Sequence, residues 1–95
     1  MADVWILVNH HEDGDWSKHL AAVVLPNRKI LSNNEEIEEI LEYHFELLDK
    51  FWKEENGDAQ MSSDSLYDGL NRLHRWGSIV SAEKAREAME ISGGF

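Results

Sequence analysis

The chain contains no cysteine, which excludes a disulfide framework, a thiolate nucleophile, zinc–thiolate coordination and iron–sulfur ligation together. Its six glycines are scattered and match neither a phosphate-cradling loop nor a dinucleotide fingerprint. Basic residues are scarce, nine Lys and Arg against nineteen Asp and Glu, for a net charge of -10. That balance argues against direct binding to DNA, RNA or an anionic membrane. Long apolar runs are also missing: the longest, Leu20 to Leu25, is far below a membrane span. The start, Met-Ala-Asp-Val-Trp, lacks the basic n-region of a secretory signal, so a cytoplasmic location is the default expectation.

Apolar residues nevertheless make up 42% of the 95 residues, with four Trp, three Phe and two Tyr. This is too much core material for a disordered acidic tail. The expectation is a single compact domain over 1–95 with a frayed tail at 93–95. The acidity is uneven: residues 1–60 hold fourteen acids and five bases, residues 61–95 five acids and four bases.

Val4 to Val8 is a continuous apolar run rich in β-branched residues and reads as a central strand covered on both faces. Leu20 to Leu25 is a second strand, broken by Pro26 and Asn27, and residues 28–31 form either a short third strand or the approach to a helix. A long helix follows, capped by Asn33 or Asn34, with Glu35, Glu36 and Glu38 in its first turn and its end near Asn56-Gly57. At 100° per residue Ile37, Ile40, Leu41, His44, Leu48, Phe51 and Trp52 fall within one arc, widened by Phe45 and Leu47, and this face is expected on the sheet. Ser62 or Ser63 caps a shorter helix bearing Leu66, Leu70 and Leu73, closed by Gly77. Ile79-Val80 leads into a cap at Ser81 and a last helix with Ala82, Ala85 and Met89 on its packing face. The predicted fold is therefore α+β: a small two- or three-stranded antiparallel sheet on one long amphipathic helix, followed by two shorter helices.

The densest chemistry is Asn-His-His-Glu-Asp-Gly-Asp-Trp, residues 9–16. His10, His11, Asp13 and Asp15, with His19 across the hairpin, are the candidate ligands for zinc, nickel or manganese. On an extended strand His10 and His11 point to opposite faces, unlike the two histidines of a helical H-E-x-x-H. The calcium-loop spacing is also missing, because Trp16, Ser17 and Lys18 follow Asp15. The stretch reads as a solvated hairpin loop, with Trp16 a candidate anchor for a partner. His44 reads as a hydrogen-bonded helix-face histidine, His74 as part of a basic face with Arg72 and Arg75, and Ser62, Ser63 and Ser65 as caps. Trp5, Trp52 and Trp76 are core or interface fillers. No catalytic residue and no cofactor is assigned.

The outer arc of the long helix carries Glu35, Glu38, Glu39, Glu42, Glu46 and Asp49, interrupted only late by Lys50 and Lys53. Like charges three and four apart repel, costing an isolated helix about 0.2–0.5 kcal/mol per pair. With Trp16 they are the candidate partner-binding residues. Successive carboxylates about 6 Å apart along the axis approximate the phosphates of a nucleic-acid strand. The leading functional expectation is a non-catalytic acidic interaction module, in its sharpest form a nucleic-acid mimic occluding the basic cleft of a nuclease or a nucleic-acid-binding defence complex. The alternatives are an acidic adaptor or subunit without mimicry, and a small metal-binding protein or metal-dependent enzyme built on residues 9–19. A homodimer is compatible with the composition. A DNA-reading pair made of the last two helices is disfavoured by the four bases and five acids found there.

Overall fold

The computed structural model describes residues 3–8, 20–32 and 34–91. Strands β1 (Asp3–Val8), β2 (Leu20–Val24) and β3 (Ile30–Ser32) precede helices α1 (Glu35–Asn56) and α2 (Ser63–Leu73), and β4 (Gly77–Ser81) and α3 (Ala82–Ile91) follow. The sheet has four strands in the order β3-β2-β1-β4, all pairs antiparallel. This corrects the expectation of two or three strands. The additional strand is Gly77–Ser81, which the sequence reading divided between a helix stop and the lead-in to a cap.

The need for β4 follows from β1. Val4, Trp5, Ile6 and Val8 are buried, so β1 is central and cannot leave one edge of backbone N–H and C=O groups without partners. On one side it pairs with β2, Trp5 opposite Val24, and on the other with β4, Trp5 opposite Ile79. Apolar residues on both faces require cover on both. Trp5, Ala22 and Val24 pack with Leu41, Phe45, Leu66, Tyr67 and Leu70 of α1 and α2. Val4, Ile6, Leu20 and Val23 pack with Ala85 and Ala88 of α3. Small alanines let α3 sit close to the sheet, as expected for Ala85; Ala88 joins it.

Local signals place the helix ends. The Asn34 side-chain oxygen accepts from the backbone N–H of Glu36 and Ile37 at 3.0 and 3.3 Å, capping α1. Gly57, at φ 65°, ends it with its N–H donating to the Lys53 carbonyl at 2.9 Å. Ser62 caps α2 by accepting from the Ser65 N–H, and Ser81 caps α3 by accepting from the Lys84 N–H, each at 3.2 Å.

The apolar arc of α1 is only partly covered. Leu41 and Phe45 are buried, whereas Ile40 and Phe51 are 48% and 51% exposed. A helix of 22 residues runs about 33 Å, while strands of five or six residues span about 20 Å, so α1 outruns its support.

The β2–β3 turn ties this helix to the sheet. Pro26 supplies the fixed φ of a tight turn, closed by the Arg28 N–H donating to the Leu25 carbonyl at 2.9 Å. The Asn27 side chain accepts from the Lys29 N–H at 3.0 Å. Arg28 itself adopts φ 70°, a left-handed conformation uncommon outside glycine. There its guanidinium donates to both carboxylate oxygens of Asp49 on α1, at 2.6 and 2.7 Å. That bidentate bond holds the Asp49 carboxyl below its ordinary range.

Trp5 is fully buried, and a Cβ built at Gly77 would overlap its indole ring, with Cε2 at 2.7 Å and Nε1 at 2.8 Å. Gly77→Ala should therefore destabilise the fold by about 1–3 kcal/mol, the usual cost of overpacking. Ala normally favours a strand over Gly, so a denaturation midpoint at or above wild type would show that Trp5 moves aside freely.

Candidate functional site

The acidic arc of α1 faces outward. Glu35, Glu39, Glu42 and Glu46 are exposed and Glu38 is half-buried. Among the described residues none of these five makes an ion pair, whereas Asp49 is held by Arg28. Within the acidic arc the carboxylates left to a partner are therefore the five glutamates, repeating along the helix at intervals of three and four. Trp16, together with His10, His11, Asp13, Asp15 and His19, lies outside the described residues. Among those that are described, no group of three or more His, Asp or Glu is placed to hold a metal.

Beside the acidic arc runs a second stripe that the sequence reading assigned to the core or left out. Ile40, Tyr43, Leu47 and Phe51 are spaced three and four apart, so they share one side of α1. Tyr43 is 61% exposed, and Leu47 is half-buried. The stripe runs into an open groove of about 450 Å³ between the C-terminal half of α1 and α2, lined by Leu48, Phe51, Trp52, Met61 and Leu73. Gly69 forms part of its wall, close enough to Leu48 that a Cβ there would lie 2.6 Å from the leucine Cδ2. Trp52 closes the far end by donating its indole N–H to the Ala59 carbonyl at 2.6 Å. The groove was legible in part: Leu48, Phe51, Trp52 and Leu73 are all on predicted helix faces, but their failure to be covered depends on the length of the sheet.

At the other end α1 and α2 meet through two histidines. His44 Nδ1 and His74 Nε2 are 2.7 Å apart, one donating and the other accepting. The His74 ring also packs edge-on against Trp5, with centroids 5.5 Å apart. His44 is the hydrogen-bonded helix-face histidine expected. His74 belongs to the same pair, not to a solvated basic face, and caps α2 with its N–H on the Leu70 carbonyl at 2.9 Å. Beside it Arg75 stacks on Trp76, 4.9 Å from the ring centroid. The DNA-reading arrangement is not formed, since α2 and α3 lie on opposite faces of the sheet. Ser62 alone is the cap of α2; Ser63 and Ser65 lie inside the helix, and the Ser65 hydroxyl accepts from that of Ser62 at 3.1 Å.

Comparison with protein-family models, with curated proteins and with solved structures gave no match. Among the described residues no helix is long and apolar enough to cross a membrane.

Burial, and secondarily the neighbouring His44, lowers the His74 pKa below its ordinary value. The folded chain thus favours neutral His74, while the unfolded chain takes up a proton near pH 6.5. Stability from this group is complete above about pH 6.5 and declines as the pH falls through that value toward the folded pKa. Denaturant midpoints at pH 7.5 and 5.5 should differ in wild type, and the difference should shrink in His74→Gln. An unchanged difference would assign the acid sensitivity elsewhere.

Proposed function

We propose that the chain is a non-catalytic acidic interaction module, whose outward α1 carboxylates dock on a basic protein. The observation that carries this reading is the row of Glu35, Glu38, Glu39, Glu42 and Glu46, facing away from the core and without ion partners among the described residues. Such a row raises the encounter rate with a basic surface and sets orientation, at an energetic cost to the free helix.

The spacing favours one class of basic surface. Glu38, Glu42 and Glu46 lie at successive intervals of four, about 6 Å apart along the helix, a single-sign row of the kind a cleft that follows a phosphate backbone accepts. The partner proposed is accordingly a nuclease or nucleic-acid-binding defence complex in the cytoplasm, its cleft occluded by steric and electrostatic competition. An acidic adaptor would share the carboxylate interface but leave its partner's nucleic-acid binding intact.

Replacing Glu38, Glu42 and Glu46 by Lys should leave the fold intact, each substitution shifting stability by about 0.5 kcal/mol or less, the usual range at a surface site. Capture of basic proteins from cell extract, compared at low and near-physiological salt, should be lost in this variant. Recovered partners that lose nucleic-acid binding when the wild-type chain is added support occlusion; partners that retain it make the chain an adaptor. Capture that survives the triple substitution would remove the carboxylate row from the interface.

A further inference from the structure

The groove between α1 and α2, with the stripe leading into it, is apolar surface that the carboxylate interface does not use. From Ile40 to Phe51 the stripe covers about three helical turns, and Leu73 of α2, 40% exposed, continues it. Contiguous exposed apolar area of this kind marks interaction sites in soluble proteins. Its length and its i, i+3, i+7, i+11 spacing match the apolar side of an approaching helix.

Charge selects the occupant. Glu36, Glu39 and Glu54 border the stripe at helical spacing with Lys50 as the one base among them, and Glu55 and Asp68 line the groove. None of the five acids has an ion partner among the described residues. Arg72 is the one basic residue in the groove lining. A second copy of this chain would bring its own net charge of -10 against these carboxylates. A helix with an apolar face flanked by Lys and Arg meets both features at once.

We infer that the Ile40–Phe51 stripe and the α1–α2 groove seat an amphipathic, lysine- and arginine-flanked helix of the basic partner. This rests on the reading of α1 as an interface for such a partner and extends it. The glutamate row sets approach and salt dependence, and the groove supplies the apolar contacts that slow dissociation. Leu73 and Phe51 are the anchors, since both are large, apolar and open to solvent.

The probe is a synthetic helix of eighteen residues with Leu and Phe on one face and Lys on the rest, titrated into the full chain and followed by backbone amide shifts and calorimetry. A second peptide keeps the apolar face and replaces every Lys by Glu. One-to-one binding of the Lys peptide, with shifts confined to the second half of α1 and to α2, is expected. Binding should weaken at least tenfold for the Glu peptide and at least tenfold for the protein variant Phe51→Ser/Leu73→Ser. Equal binding of the two peptides, or unchanged binding by the variant, would overturn the inference. Sedimentation of wild type as a dimer and of the variant as a monomer would also overturn it, by assigning the groove to a second copy.

Capture from extract separates this inference from the reading beneath it. If Phe51→Ser/Leu73→Ser still captures the basic partner while the glutamate-to-lysine variant does not, the groove inference fails and the carboxylate interface stands. The reverse pattern removes the carboxylate reading and leaves an apolar site. Loss of capture in both, with both variants folded by amide spectra, supports the two together.

Discussion

The seat of the Trp5 indole fixes the relation between the sheet and the helices on one of its faces. The ring is buried over Gly77, its N–H donates to the Asn71 side chain at 2.8 Å, and its edge meets His74. One side chain thereby ties β1 to the end of α2 and the start of β4, at the other end of the sequence. Four residues before Asn71, Tyr67 donates its buried hydroxyl to the Val24 carbonyl at 3.0 Å, and burial pushes its pKa up to about 12, so it remains a donor. The pair stitches α2 across β1 and β2, and each bond satisfies a polar group that burial would otherwise penalise.

With α2 fixed over the centre of the sheet, α1 is left the flank over β2 and β3, held by Leu41 and Phe45 inside and by Arg28 outside. It is too long for that flank. The residues beyond the supported length retain the amphipathic pattern of a packed helix without a surface to pack on. The same helix thus presents two unlike faces to solvent, a row of carboxylates and a row of aliphatic and aromatic side chains. In the proposed division of labour one acts at a distance and decays with salt, while the other acts only on contact.

Much of this fold was legible because it depends on local chemistry. Asn34, Gly57, Ser62 and Ser81 act where capping physics puts them, and the apolar run at Val4–Val8 is the buried central strand. The strand at Gly77–Ser81 escaped because its residues carry two local messages, glycine as a helix stop and serine as a cap, and its strand identity comes from β1 across the sheet. Phe51 escaped for a related reason: periodicity gives the side of a helix but not how far its neighbour extends, whereas Ile40, beside the buried Leu41, lies at the uncovered edge of the arc. Asp49 looked like a sixth free carboxylate, since nothing in the helix reveals an arginine twenty-one residues earlier in a turn. His44 was read as having one hydrogen bond, and its partner His74 lies thirty positions away. The stretch around His10 and Trp16 lies outside the described residues.

The position of β4 also bears on the order of assembly. Trp5 and Ile79 are cross-strand neighbours, yet almost the whole chain separates them. β1, β2 and β3 pair through connections of eleven residues or fewer and close early, while the β1–β4 ladder must wait for α1 and α2 to be made between. Until then the central strand β1 carries an open edge and a tryptophan without its glycine floor. During synthesis from the N-terminus that edge is exposed throughout the making of both helices, the interval in which an unpaired strand pairs with the wrong chain. The last third of the molecule thus acts as the guard of the first.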